Sequence, residues 1–266
     1  MNANEIVGKR NIIMLTLDTL RYDVAQRLWE SGETPNFKKL LPNGWEKRHT
    51  PGSFTYAAHH AFFAGFFPTP VSSPKAPRLF ATRFAGSETS TDETFLFDSP
   101  TIIEGLQEEG YRTACIGGVG FFNRQTPLSN VFPSLFMQSH WSPELGVTAI
   151  HSTKNQFEKA RDILLSPAQE ERHKNVFLFI NVSAIHQPNC FYLEGAEKDS
   201  IESHAAALKY VDSQLPILME AVKELGPSCW LMMGDHGTAY GEDGYEGHRL
   251  AHEVVWTVPY AEILND

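Results

Sequence analysis

Asp18, Asp235 and His236 are the residues whose type and position most plainly carry chemistry. Each stands where an apolar run stops. Asn11-Ile12-Ile13-Met14-Leu15-Thr16-Leu17 runs into Asp18, and Trp230-Leu231-Met232-Met233-Gly234 runs into Asp235-His236-Gly237. Such runs read as buried strands, with glycine marking the break. In an open α/β sheet, reactive groups gather beyond the carboxyl ends of the strands. Two carboxylates and an imidazole on rigid strand tips make a half-shell for one divalent cation. Singly, each has a plainer role, Asp18 as a helix cap and Asp235 and His236 as turn residues. Together they favour the metal.

Two further stretches place polar groups near strand or helix ends. Asn175-Val176-Phe177-Leu178-Phe179-Ile180-Asn181-Val182 reads as a buried strand leading to Ser183-Ala184-Ile185-His186-Gln187-Pro188. Gly52 and Ser53 read as a loop, and Ala57 to Phe63 as the first turns of a helix. Hydroxyls at a helix N-terminus lie in a positive field that suits an anion.

These residues need a scaffold, and the remaining pattern supplies one. Helices are expected from Asp23 to about Glu30, from Pro35, from Thr101 to Gly110, from Lys154 to Leu165 and from Ser203 to Leu225. The last carries Leu208, Val211, Leu215, Leu218, Met219 and Val222 on one face. Tyr111-Arg112-Thr113-Ala114-Cys115-Ile116 is a strand ending in Gly117-Gly118-Val119-Gly120, a strand-to-loop bend that lacks the spacing of a dinucleotide loop. Residues 69–98, with Lys75, Arg78 and Arg83 among Pro, Ser and Thr, read as a lid, a specificity loop or a disordered stretch. Residues 121–152 are aromatic and irregular, and Val254 to Leu264 is a final apolar piece. Alternating strands and helices with near-continuous apolar strands give an α/β fold, a mostly parallel sheet covered on both faces. No repeat or linker divides residues 1–266, which are expected to form one domain.

The chain has 266 residues, 42% hydrophobic and 20% charged, with a net charge of −10. That balance argues against nucleic acid and anionic membrane as partners, while a small anionic substrate stays compatible where a metal dominates the local field. The N-terminus lacks a signal-like apolar core and no run is long enough to span a bilayer. Cys115, Cys190 and Cys229 are too few and scattered for a disulfide framework. The expectation is a reduced, cytoplasmic protein, of undetermined oligomeric state.

In order along the chain, Leu17-Asp18-Thr19-Leu20-Arg21-Tyr22-Asp23, Thr34-Pro35-Asn36-Phe37, Ala61-Phe62-Phe63-Ala64-Gly65-Phe66-Phe67-Pro68, Gly110-Tyr111-Arg112-Thr113, His186-Gln187-Pro188, Gly234-Asp235-His236-Gly237, Gly241-Glu242-Asp243-Gly244 and Gly247-His248 resemble the motifs of the sulfatase-like branch of the alkaline phosphatase superfamily. The ordered set spans nearly the whole chain. The resemblance implies an alkaline-phosphatase-like three-layer sandwich, without the family's usual C-terminal subdomain.

It also implies roles. Asp18, Asp235 and His236 would hold the metal, zinc or manganese favoured and calcium or magnesium the alternatives. Counting back from Gly65 to the family's nucleophile lands on Thr55, a further metal ligand, with Ser53 the competing hydroxyl. A threonine cannot become formylglycine as the cysteine or serine of sulfatases does. Instead it resembles the phosphodiesterase, phosphonate-hydrolase and phosphoethanolamine-transferase members. His59 stands at the place of a substrate-binding arginine and His248 at that of a late lysine. His186 and His248 would contact the phosphoryl group and move protons with near-neutral pKa values. A second metal is left open, because the aspartate expected four residues before His186 is Val182. The implied activity is metal-dependent hydrolysis or transfer of a small anionic phosphate-type ester through Thr55. Sulfate or phosphonate ester hydrolysis on the same scaffold, and a catalytically silent metal-binding or regulatory role, are the competing readings.

Overall fold

Every residue of Asn11–Leu17 is buried. A strand with no exposed face belongs in the middle of a parallel sheet, and the structure puts it there. The computed structural model describes residues 2–65, 80–81, 94–96, 101–165 and 174–266. The expected 69–98 loop, with Lys75, Arg78 and Arg83, and the Phe66-Phe67-Pro68 end of its motif lie outside the described residues, apart from the short pieces at 80–81 and 94–96.

In chain order the elements are β1 (Asn11–Leu17), α1 (Tyr22–Ser31), α2 (Pro35–Leu40), β2 (Glu46–His49), α3 (Thr55–Ala64), the two-residue strands β3 (Phe80–Ala81) and β4 (Phe95–Leu96), α4 (Ile102–Glu108), β5 (Arg112–Ile116), β6 (Gln138–His140), α5 (Ser152–Leu165), β7 (Val176–Val182), α6 (Ile201–Lys223), β8 (Ser228–Gly234), the short pair β9 (Ala239–Tyr240) and β10 (Glu246–Gly247), α7 (Glu253–Trp256) and β11 (Thr257–Asn265). The central sheet has seven strands in the order β2-β11-β8-β1-β7-β5-β6. Strands β8, β1, β7, β5 and β6 are mutually parallel. β11 runs antiparallel to β8 and carries β2 at the edge.

Period-two alternation along these strands divides the core in two. Ile13, Leu15 and Leu17 of β1 and Leu178 and Ile180 of β7 face Leu28 of α1, Phe157 of α5 and Leu208 and Leu215 of α6. Ile12 and Met14, with Phe177 and Phe179, face the other way, onto Phe63 of α3 and Ile103 of α4. The irregular stretch after β5 completes this second layer with Phe122, Phe132 and Phe136, packed ring against ring. It holds only short 3-10 turns and β6, so its aromatic residues act as core rather than as regular elements.

Helix ends are chemically specified. Thr101 and Ser200 close capping boxes at the starts of α4 and α6. Asp212 of α6 accepts from the Phe37 backbone N–H at 2.7 Å, capping α2 from a neighbouring helix. The apolar piece from Val254 to Leu264 resolves into a single helical turn and the antiparallel strand β11. β2, whose four residues Glu46-Lys47-Arg48-His49 are all exposed, is a strand only because β11 offers a ladder.

The bend after β5 packs tightly against the centre of the sheet. A side-chain carbon added to Gly118 would lie 2.7 Å from Ser183 Cβ and 3.0 Å from Asn181 Oδ1. Gly118→Ala is therefore expected to cost about 1–3 kcal/mol of unfolding free energy, as overpacking does. Urea denaturation measures it, and an unchanged midpoint would contradict this packing.

Candidate active site and metal centre

The register of the sheet brings the two aspartates together. Leu17 pairs with Gly234 across β1 and β8, so Asp18 and Asp235 leave the sheet as neighbours. On the other side of β1, Thr16 pairs with Asn181, which puts an amide within reach of the same point. Asp18, Asp235 and His236 are wholly buried, and one ligand atom from each lies within 4.8 Å of the others. Among the described residues, Asp18 Oδ1 and Asp235 Oδ2 find no hydrogen-bond donor. Buried carboxylate oxygens without a partner are costly unless a cation sits between them.

The remaining oxygens are held by neutral donors. Asn181 Nδ2 donates to Asp18 Oδ2 at 2.9 Å, while Asn181 Oδ1 accepts from the Val119 N–H. Asp235 Oδ1 accepts from the backbone N–H groups of Thr19 and His236, at 3.1 and 3.0 Å. Thr19 aims its N–H by adopting φ 63°, a left-handed conformation that a β-branched residue rarely takes. Thr50 donates to the Asp235 carbonyl and fixes the backbone behind it.

His236 is oriented for ligation. Its Nδ1 lies 2.8 Å from the Gly237 carbonyl, which makes Nδ1 the protonated nitrogen and leaves the Nε2 lone pair facing the carboxylates. Nε2 is 3.6 Å from Asp235 Oδ2 and 3.9 Å from Asp18 Oδ1. Gly237 permits this turn, since a side-chain carbon there would collide with the Val254 carbonyl.

Thr55 meets the same point. It is the first residue of α3 rather than its cap, which is Phe54 with no side-chain bond. Its Oγ1 lies 3.4 Å from Asp18 Oδ2 and 3.2 Å from His236 Nε2. The backbone N–H groups of the first turn of α3 lack a capping side chain beside it, a field that favours an anion. Ser53, the other hydroxyl, supplies its carbonyl to the Arg249 N–H at 2.8 Å.

A cavity of about 370 Å³ opens onto Thr55, with His186, His248 and Arg249 in its wall. The rings of His186 and His248 lie 5.7 Å apart, and that of His248 is 4.6 Å from His236. His186 Nδ1 lies 2.5 Å from the Gln187 carbonyl.

His59 departs from its expected place against the substrate. It lies on the inner face of α3, wholly buried, with Nδ1 2.7 Å from the Thr55 carbonyl and Nε2 3.1 Å from Thr16 Oγ1. Rings of Phe62, Phe63, Phe122 and Phe179 surround it. Burial pushes its pKa down to about 3, so it is neutral and braces Thr55 from within. His248 also departs from the near-neutral pKa expected of it. Burial, with the charges of His236, His186 and Arg249 adding to it, takes it down to about 3.

Sequence reasoning passed over several residues. Asn181 is a polar residue inside an apolar strand, and that was its only signal. Arg249 stands beside His248 at φ 71°, its guanidinium 5.0 Å from the Phe54 ring. Arg21 ties the turn after Asp18 to the loop after His236 through Asp23 and Glu242. Tyr240 OH lies 3.1 Å from His204 Nδ1 and accepts from Asn189 Nδ2 at 3.0 Å, joining that loop to the one carrying His186.

The strand-end cluster and the cavity above it lie at the carboxyl ends of the parallel strands of an alkaline-phosphatase-like α/β fold. The family model described as Sulfatase matches residues 10–260, and the chain belongs to the sulfatase family. That family's enzymes act on phosphate or sulfate esters. Solved structures share the fold at low identity. The C-terminal periplasmic domain of phosphoethanolamine transferase EptC from Campylobacter jejuni is 15% identical with a TM-score of 0.64, over 97% of this chain and 80% of that one. The corresponding domain of EptC from Escherichia coli, in complex with zinc, is 13% identical with a TM-score of 0.64, over 97% and 73%. The lipoteichoic acid synthase LtaP from Listeria monocytogenes is 16% identical with a TM-score of 0.61, over 95% and 65%. No curated protein matches the chain in sequence. No helix among the described residues is long and apolar enough to cross a membrane.

The buried carboxylates give the site a pH signature. Burial first, and then the charge of Asp235, raises Asp18 from 3.8 to about 6. Burial raises Asp235 from 3.8 to about 7. A folded-state pKa above the unfolded value means that the folded chain binds the proton more tightly. That stabilisation is complete below about pH 4 and is lost as pH rises towards 7. In chelator, thermal stability from this pair is expected to fall across that window. A divalent ion at a hundredfold excess over its Kd should restore about 2.7 kcal/mol at pH 7. Melting curves with and without chelator test this, and a pH-independent difference would contradict it.

Proposed function

We propose that the chain hydrolyses phosphate-type esters, or transfers their phosphoryl group to another acceptor, in a metal-dependent reaction with Thr55 as nucleophile. The observation that carries this is the Thr55 hydroxyl, on a helix N-terminus, 3.4 Å from Asp18 and 3.2 Å from His236 within the Asp18, Asp235 and His236 cluster. Family membership and the zinc complex of the Escherichia coli neighbour support a divalent ion. Held by those three residues, the ion supplies positive charge that offsets the carboxylates and lowers the pKa of a nearby hydroxyl. The donor set favours zinc or manganese over calcium or magnesium.

Thr55 Oγ1 forms a bond to phosphorus as the bond from phosphorus to the ester oxygen breaks. The hydroxyl proton passes towards Asp18 Oδ2, its nearest carboxylate oxygen. His186, in the cavity wall, gives a proton to the departing alkoxide. Neutral His248 and the Arg249 guanidinium hydrogen-bond the phosphoryl oxygens. Water, losing its proton to His186, then attacks phosphorus and releases Thr55, whose oxygen takes back its proton from Asp18; an acceptor alcohol in place of water makes the reaction a transfer.

A threonine here favours phosphate over sulfate, since it cannot yield the aldehyde on which sulfatases depend. With zinc or manganese present, 4-nitrophenyl phosphate or its diester is expected to turn over faster than 4-nitrophenyl sulfate. Thr55→Ala should lower kcat by at least ~10³-fold, the scale of losing a nucleophile. Thr55→Ser should retain most of the activity. Sulfate turning over fastest, or an active Thr55→Ala, would overturn the assignment. Failure with every ester would favour a silent metal-binding role.

A further inference from the structure

The cavity above Thr55 has a second half that phosphoryl chemistry does not use. Its wall there comes from Val119, Phe121, Leu128 and Val147, with Thr126 and Ser129 between them. The two hydroxyls are turned upon one another: Thr126 Oγ1 donates to Ser129 Oγ at 3.0 Å, and each also bonds the other residue's backbone. They are closed in their own turn and offer a ligand little. The wall is also set in place from behind. The Val119 N–H bonds Asn181, and the Phe121 ring lies 5.1 Å from that of Tyr56.

Charge is distributed one-sidedly. Among the described residues the cavity is lined by His186, His248 and Arg249 and by no carboxylate. An ammonium group placed there would lose its water with no counter-charge and would face a guanidinium. An apolar arm would instead exchange water for Phe121, Leu128 and Val147. The volume of about 370 Å³ lies near the lower end for ligand sites, enough for a phosphoryl group with one compact arm.

We infer that the substrate carries a compact apolar arm, aryl or branched alkyl, next to its phosphoryl group, and that the 119–129 segment with Val147 selects it. This rests on the reading that Thr55 receives the phosphoryl group, so the test separates the two. In the metal-loaded protein, calorimetry compares phenylphosphonate with 2-aminoethylphosphonate, whose carbon–phosphorus bonds this chemistry leaves intact. Phenylphosphonate is expected to bind at least ~10-fold tighter, the scale of a few buried apolar groups. Leu128→Glu, which puts a carboxylate in the arm's wall, should shrink or reverse that ratio. Equal affinities, or preference for the amine in the wild-type protein, would overturn the apolar arm even if ester turnover through Thr55 is established. The binding preference without turnover of any ester would uphold the arm and defeat the nucleophile assignment.

Discussion

Two buried carboxylates, each with one oxygen that no donor among the described residues reaches, are the constraint around which the site is arranged. Left alone, burial disfavours the charged forms of Asp18 and Asp235, the charge of Asp235 adds to this at Asp18, and the folded chain responds by holding protons. A chain gains nothing in stability from such a pair without a counter-charge. Neighbouring groups satisfy the outer oxygens with neutral donors and leave the inner ones facing His236 Nε2. The cluster is built to receive positive charge.

The sheet supplies the precision that this requires. Parallel pairing of β1 with both β7 and β8 delivers Asp18, Asp235 and Asn181 to one line at the strand ends. The local geometry then pays a conformational penalty: Thr19 is held left-handed so that its N–H reaches Asp235. Behind Thr55, His59 bonds a backbone carbonyl and a core hydroxyl, tying the helix of the proposed nucleophile to β1. The tips of rigid strands carry the proposed metal ligands, while loops carry His186, His248 and Arg249, the groups proposed to follow a moving phosphoryl group.

Much of this was legible in the sequence because long apolar runs ending in acids can hardly be anything but buried strand tips. β1 and β8 end where the runs end, and α6 lies within two residues of its expected limits. The limits were physical. β2 is polar throughout, and its strand state comes from a partner near the far end of the chain, β11, rather than from its own composition. The aromatic stretch after β5 carries no period because it fills the core with rings. His59 was placed against the substrate by its position in a motif, yet one helical turn beyond Thr55 it points inward among phenylalanines. Arg249 had no motif to mark it, and its place beside His248 depends on a left-handed backbone that the sequence does not announce. The substrate arm was not legible at all, since its wall is assembled from irregular turns.

The most direct test is calorimetric titration of zinc or manganese into the metal-free wild-type chain and into Asp18→Asn and Asp235→Asn variants shown to be folded by circular dichroism. The expected result is one ion per chain, with proton release on binding, and affinity lost in both variants. No ion bound at high metal concentration, or variants that bind as well as the wild type, would contradict a cation between the two carboxylates.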